Sequence, residues 1–362
     1  MSKAPTIHDL AADLKISATT VWRALQGRGR ISEKTRERVL AHAKAMNFVP
    51  SLVAQNLSHG RTNTLGVIVP IVGHPVFSAL IEEIEAVAFE RGYNIMLCDA
   101  RLDLTREAEY ARMLLRRRVE GVVVIPFSTD ARDLDAHLVE LQKHHVPVVL
   151  LEHELPTNRF PKVVADNFAA SYDMTRHLIK LGHKSLAFAF HPFHESDLVA
   201  RERHDGFTRA MADSGLARKA TLLLEASRFE KQVLHYDREV IAACFGRSDR
   251  PTALFAPMDA LAIRVLETFR ELGLRVPQDV AVAGFDNVEF SEFTQPPLTT
   301  VQQPTAEMGR LAAELLFDRI EKKDGRRAPA VCKRLPCRLV IRESCGAALP
   351  IRNNTKQEDT KS

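Results

Sequence analysis

Apolar residues recur at helical spacing through the first sixty positions. Leu10, Ala11 and Leu14 form one stripe, Val21, Ala24 and Leu25 a second, and Val39, Leu40 and Ala43 a third. They predict helices over Ile7–Leu14, Ala18–Gln26 and roughly Glu33–Met46. Thr6, Ser17 and Ser32 are the N-caps, and Gly27 and Asn47 the stops. The turn between the first two helices is only about three residues, so they cross steeply, as in a helix-turn-helix. Further on, Pro50 and an N-cap at Ser51 predict a short helix over Leu52–Ser58, stopped by His59 and Gly60. About two turns of helix are unstable alone in water. This segment needs a second surface, either its symmetry mate or DNA.

From Thr64 the period changes. The β-branched run "TLGVIVP" precedes a helical stripe through Phe77, Leu80, Ile81, Ile84, Val87 and Ala88. Strand-like "YNIMLCDA", "GVVVIPF" and "VPVVLLEHE" then alternate with helical segments. The alternation repeats through "KVVADN", "SLAFAF", "TLLLEA", "TALFAP" and "VAVAGFDN", with helices between them, one around Asp205–Ser214. Near-continuous apolar strands separated by helices argue for parallel sheets covered on both faces. The predicted fold is an N-terminal all-α helix-turn-helix head with a hinge helix, followed by an α/β core of two Rossmann-like parallel-sheet halves. In such cores ligands bind at the carboxyl ends of strands and in the cleft between halves.

The chain has 362 residues, 45% apolar and 27% charged, enough for two or three globular domains. Its apolar runs fall short of a bilayer span, and "MSKAPTIHDL" lacks the apolar core of a secretory signal. No membrane partner is expected. Five scattered cysteines, Cys98, Cys244, Cys332, Cys337 and Cys345, suit free thiols in a reducing cytoplasm rather than a disulfide framework. Charge is uneven: residues 1–61 hold ten basic and four acidic side chains, +6, against +4 for the whole chain. A basic head on a slightly acidic body points to a polyanion-binding module joined to something else.

On the second helix, the face away from the apolar stripe carries Ala18, Thr19, Trp22, Arg23 and Gln26. Short polar residues at a helix N-terminus, followed by arginine, suit a major groove. Hydroxyls and the helix terminus reach phosphate, and arginine bonds guanine edges. Thr19 and Arg23 are the candidates for base readout, and the methyl of Ala18 suits apolar contact such as a thymine methyl. Ser17, Thr20, Arg28 and Arg30 suit phosphate, as does Thr6 at the first helix N-terminus. The alternative is a small helical bundle with a solvated basic face.

Residues 6–60 resemble the DNA-binding head of the lactose/purine repressor family (LacI/GalR type). The pattern is carried by Ser17, Thr20, Val21, Leu25, Gly27, Ile31, Ser32, Thr35, Arg36, Arg38, Val39, Pro50, Ala54 and Leu57. The resemblance implies that the short helix, with Ala54 and Leu57, pairs with its dimer mate in the minor groove. Leu57 of each chain then wedges into the central base step, and the unstacking costs roughly a few kcal/mol, which further contacts offset. Trp22 departs from the family's usual serine. Its indole N–H donates to phosphate, or its ring packs against the first helix, and both readings stay open. Ser51 stands for a common asparagine.

The core also resembles this family, whose core is similar to periplasmic sugar-binding proteins. "HPVFSALIEEIE", "LIKLGHKSLAF", "RERHDGF", "PTALFAPMD", "GLRVPQDVAVAGFDN" and "PLTTVQQP" carry the match, which with the head spans about residues 6–345. It implies a helix-turn-helix domain over 1–50 and a hinge helix and linker over 51–63. One core half comprises 64–165 plus about 303–325, and the other 166–302 plus about 326–345. The tail, 346–362, ends in "RNNTKQEDTKS" and is expected to be disordered.

In the family an arginine before a "GF" or "GW" pair and the aspartate of "G-[YF]-D" bind effector. Arg203 and Asp286 match them. An arginine fork and a carboxylate clamp vicinal hydroxyls or a carboxylated ligand. The plainer reading makes Asp286 a loop-turning residue paired with Arg203. Phe77 and Phe229 match apolar wall positions and equally fit a plain core. Glu152 ends the fourth strand where the family often has aspartate, Gln303 matches a cleft glutamine, and Arg201 is near enough to contribute. Met258 replaces a common asparagine, and Asp259 is expected to cap the following helix.

His144–His145 and His191–His194 lack metal-site spacing, and Cys332 and Cys337 lack a second pair, so no metal is expected. There is no G-x-S-x-G elbow, Walker loop or G-x-G-x-x-G, hence no expected cofactor and nothing to support an enzyme. The favoured reading is a cytoplasmic, effector-responsive transcriptional regulator, a repressor rather than an activator. It binds a near-palindromic double-stranded DNA operator as a homodimer and a sugar or sugar derivative in its cleft. The rival is a sugar-binding protein or sugar-metabolising enzyme of the same core fold. The basic head and the lack of a catalytic pair count against it.

Overall fold

The computed structural model describes residues 5–27, 29–48, 61–126, 136–153, 155, 159–189, 198–223, 228–230, 233–235, 238–322 and 330–349. The expected hinge helix with Ala54 and Leu57, Arg28, and the tail from 350 onward lie outside the described residues. The chain divides into two compact units, Met1–Thr62 and Asn63–Ser362.

The first unit contains α1 (Ile7–Leu14), α2 (Ala18–Gln26) and α3 (Glu33–Ala45). Thr6 and Asp9 form a capping box: Thr6 N donates to Asp9 Oδ2 (2.7 Å) and Asp9 N to Thr6 Oγ1 (3.3 Å). Ser17 and Ser32 accept from Thr20 N and Thr35 N at the starts of α2 and α3. Each cap satisfies an amide that the helix start leaves without an internal partner. Gly27 ends α2 at φ 66°, and a Cβ there would meet Arg36 Nη2 at 2.9 Å. Asn47 takes φ 49° after α3. Leu10, Ala11, Leu14, Val21, Ala24, Val39 and Ala43 make the core. Leu40, expected to face inward, is 45% exposed. Val39 and Ala43 stand one turn apart and fill the single seam that α3 shares with its neighbours. Leu40 falls outside that seam.

The second unit holds two parallel sheets. The first contains β1 (Thr64–Val69), β2 (Asn94–Asp99), β3 (Gly121–Val124), β4 (Val148–Leu151), β5 (Lys162–Ala165) and a late strand, β13 (Cys332–Leu335), in the order β13-β5-β4-β3-β1-β2. Its strands alternate: Leu65, Val67 and Val69 face α4 (Pro75–Glu90) and α11 (Thr305–Glu321), while Ile68 joins the opposite layer under α5 (Leu104–Arg116) and α6 (Ala136–Lys143). α11 packs directly on α4, with Gly309 against the Leu80 carbonyl where a side chain would clash.

The second sheet contains β6 (Leu186–Ala189), β7 (Ala220–Leu223), β10 (Ala253–Phe255) and β11 (Ala281–Ala283), in the order β11-β10-β6-β7. It is covered by α7 (Asn167–Lys180) and α8 (Leu198–Asp213) on one face and by α9 (Arg238–Phe245) and α10 (Asp259–Glu271) on the other. α8 begins seven residues before the expected 205. β8 (Arg228–Glu230) and β9 (Val233–His235) form an antiparallel pair, as do β12 (Thr300–Gln302) and β14 (Arg338–Val340).

The assignment of 326–345 to the second half needs a correction. β13 pairs in parallel with β5, Cys332 opposite Lys162, at the edge of the first sheet, and β14 alone of the two last strands joins the second half. β13 is short and largely exposed, so its apolar pattern gave no sign of which sheet it extends. Among the described residues the chain thus crosses between halves at 165–167, 303–304 and 336–337. Cys337, in the last crossing, packs against the cores of both halves.

Candidate functional site

In the head, Ser17, Thr19, Arg23 and Arg30 are exposed, and Thr6, Thr20 and Trp22 are partly exposed. Ser17 Oγ and Thr20 Oγ1 lie 2.8 Å apart, so the two hydroxyls share a hydrogen bond while each keeps a second valence. Gly29 (φ 85°) lets the turn after α2 run along the aliphatic stem of Arg23, where a Cβ would meet Cδ at 3.3 Å. Ala18 is partly buried against the head core, so its methyl is less available than its place on the helix suggests. Thr6 is tied into its own capping box.

In the core, the carboxyl end of β4 presents Glu152 and the loop after β11 presents Asp286. Both are buried and both have left-handed backbones, φ 63° and 113°. Such conformations cost on the order of 1–3 kcal/mol for an L-residue and persist where the surroundings enforce them. Arg203 of α8, 5% exposed, joins them: Nη1 lies 3.4 Å from Asp286 Oδ1 and Nη2 3.8 Å from Glu152 Oε1. Its Nε donates to Asn167 Oδ1 (2.9 Å), its Nη1 also to the Pro257 carbonyl (2.6 Å), and its plane stacks 3.7 Å from the Phe285 ring centre. Gln303, in the second crossing, donates Nε2 to Asp286 Oδ1 (2.9 Å). Both sequence readings of Asp286 therefore hold at once: it turns a loop, pairs with Arg203 and faces the cleft.

Three buried polar atoms here have no hydrogen-bond partner among the described residues: Gln303 Oε1, Arg201 Nε and His74 Nδ1. Buried polar atoms are nearly always paired, so a cluster of exceptions marks a place for a ligand or water. His74 precedes α4 without capping it and stacks on Phe77 (4.5 Å between ring centres), which meets His153 edge-on at 6.1 Å. Phe77 belongs to the first half's core as well, which again unites its two readings. The side chain of Phe229, on β8, lies outside the described residues.

Burial pushes the His74 imidazole below its usual range, against the pull of Asp286, and so keeps it neutral. Burial raises the Asp286 carboxyl, against Arg203, His74 and Gln303. Asp259 was expected to cap α10. Instead its fully buried carboxylate reaches across to the Asp286 loop, accepting from Val288 N (2.9 Å) and Thr300 Oγ1 (2.5 Å), and α10 has no side-chain cap. Loss of solvent, and then Asp286, push Asp259 up to about 8. Among the described residues no cluster of side chains is suited to a metal.

Sequence reading missed His74, His153 and Asn167. His74 had a usable signal, a His-Pro pair between the end of β1 and the start of a helix, which is where ligands meet such sheets. Asn167 had none, because its role is to hold Arg203 from a different helix.

A capped helix-turn-helix head and a two-sheet core with a buried polar cleft define a regulator of the DNA-binding type with a periplasmic-binding-protein-like core. Residues 6–51 match the model of bacterial regulatory proteins of the lacI family, and residues 175–345 match the periplasmic binding protein-like domain. The chain is 31% identical over 324 residues to the HTH-type transcriptional repressor PurR of Photobacterium profundum, covering 89% of this chain and 94% of that protein. It is 32% identical over 331 residues to PurR of Aliivibrio fischeri, with the same coverage. Among solved structures, the lac repressor dimer bound to operator and the anti-inducer ONPF matches with TM-score 0.82 and 25% identity, over 95% of this chain and 99% of that one. A LacI family transcriptional regulator from Enterococcus faecium with bound ribose matches with TM-score 0.66 and 29% identity, over 78% and 98%. The chain belongs to the LacI family of bacterial regulatory proteins.

Proposed function

We propose that the protein is a transcriptional repressor of the cytoplasm, not an enzyme. It binds a near-palindromic DNA operator as a homodimer and responds to a sugar or sugar derivative held by Arg203, Asp286, Glu152, Gln303 and Arg201, with Phe77 and Phe229 as walls. The observation that carries the reading is the cluster of buried polar atoms without partners, Gln303 Oε1, His74 Nδ1 and Arg201 Nε, on a chain that begins with a basic helix-turn-helix. In this reading Thr19, Arg23 and Ala18 meet bases, and Thr6, Ser17, Thr20, Trp22, Arg28 and Arg30 meet phosphate. Ala54 and Leu57 enter the minor groove. Phe89, Phe290 and Phe293, each more than 60% exposed, give a second copy apolar surface to cover. No helix among the described residues is long and apolar enough to cross a membrane.

Effector binding changes the approach of the two core halves and with it the heads' grip on DNA, a coupling between two sites through one two-state element. Selection from random duplexes with the full chain tests the reading. A near-palindrome should be enriched, and affinity for it should fall steeply with salt as phosphate contacts release counterions. Equal affinity for all duplexes contradicts the reading.

A further inference from the structure

The polar inventory of the cleft restricts the charge of its occupant, given the reading of the cleft as an effector site, on which this inference rests. Arg203 is the most deeply buried guanidinium of the wall, and its donors are committed to Asn167, the Pro257 carbonyl, Asp286 and Glu152, with its face on Phe285. A fork that would otherwise grip a carboxylate or phosphate is therefore already held by the protein's own acceptors. Arg201 brings the second guanidinium, which balances the two carboxylates, Glu152 and Asp286. His74 is neutral. An incoming anion meets no surplus positive charge, and an unbalanced buried charge is far costlier than a hydrogen-bonded neutral group.

The open valences have a different character. Gln303 has spent its amide N–H on Asp286, so its Oε1 remains as an acceptor. Arg201 Nε is a donor, and the Nδ1 of a neutral histidine is either. Hydroxyl groups donate and accept, so a single hydroxyl-rich molecule satisfies all three atoms. The Phe77 ring between His74 and His153 supplies an apolar face for the carbon skeleton. We propose that the cleft takes neutral, hydroxyl-rich ligands and excludes phosphorylated and carboxylated ones, with Glu152 enforcing the exclusion by occupying Arg203 from the opposite half.

The test uses the full chain and a water-soluble bacterial metabolite extract split by ion exchange into neutral, anionic and cationic pools. The readout is the thermal midpoint. The neutral pool should raise the midpoint of the wild type and the charged pools should not. In Glu152→Gln, which keeps the shape but frees the guanidinium, half-maximal effect of the anionic pool should come at a concentration at least about tenfold lower than in the wild type. Stabilisation of the wild type confined to a charged pool overturns the proposal, and this arm stands even if the variant does not fold. A stabilisation that Glu152→Gln and Gln303→Leu both leave unchanged places the ligand outside the cleft and overturns the cleft reading instead. No stabilisation by any pool overturns both.

Discussion

Arg203 of the second core half and Glu152 of the first form an ion pair across the cleft, Nη2 to Oε1 3.8 Å, with both side chains almost wholly buried. Asp286 completes the arrangement on the same guanidinium. Removing the cation leaves two carboxylates facing each other without compensation. Arg203→Ala should therefore destabilise the core by roughly 3–5 kcal/mol, the usual result of breaking a buried pair from one side. Urea unfolding followed by circular dichroism measures it, and a loss under about 1 kcal/mol would mean that the pair behaves as a solvated one.

Asp259 makes stability depend on pH in a defined direction. Its proton leaves at about 8 in the folded chain, and near 4 in an unfolded one. Between these values the native state holds the proton that the unfolded state has lost. The contribution is thus complete below about pH 4 and fades as pH rises through about 8. Asp259→Asn should flatten the fall in stability across that window. An unchanged pH profile in the variant would assign the slope elsewhere.

The single tryptophan, Trp22, lies in α2, so its fluorescence reports unfolding of the head separately from the core. Ser17→Ala removes the cap of α2 and the hydroxyl shared with Thr20. The head transition seen by fluorescence should lose about 1 kcal/mol, while the core transition seen by far-ultraviolet dichroism stays where it was.

Gly206 lets α8 lie against α7, where a Cβ would collide with the Phe168 carbonyl oxygen and touch Ser171. Backbone cannot yield as a flexible side chain can. Gly206→Ala should lower core stability by at least 1–3 kcal/mol, in the range for overpacking. A variant as stable as the wild type would show that the two helices separate freely.

The legible parts of the molecule were those with local signals. Ser17, Gly27 and Ser32 each mark a helix boundary through chemistry within four residues, and the head helices begin where these residues put them. The apolar runs around Val67, Val123 and Leu254 are buried strands for the same reason. Arg203, Asp286, Glu152 and Gln303 were found one by one through resemblance, and the structure brings them into contact. What sequence could not supply is partnership at long range. Asp259 looks like a cap because it opens a helix, yet Val288 and Thr300 claim its carboxylate from 29 and 41 residues away. Likewise β13 joins β5 from the far end of the chain, with little apolar character to mark it.

The three crossings between halves have a mechanical consequence. A body joined to another by three short strands of chain is stiff against sliding but compliant in bending, because a few backbone torsions absorb a rotation. The resistance to bending then comes from side chains that span the gap, Arg203 with Glu152 and Gln303 with Asp286. These are the same groups that meet an occupant of the cleft. The spring and the sensor of this molecule are therefore one set of atoms, and a substitution that retunes recognition also resets how far the halves swing.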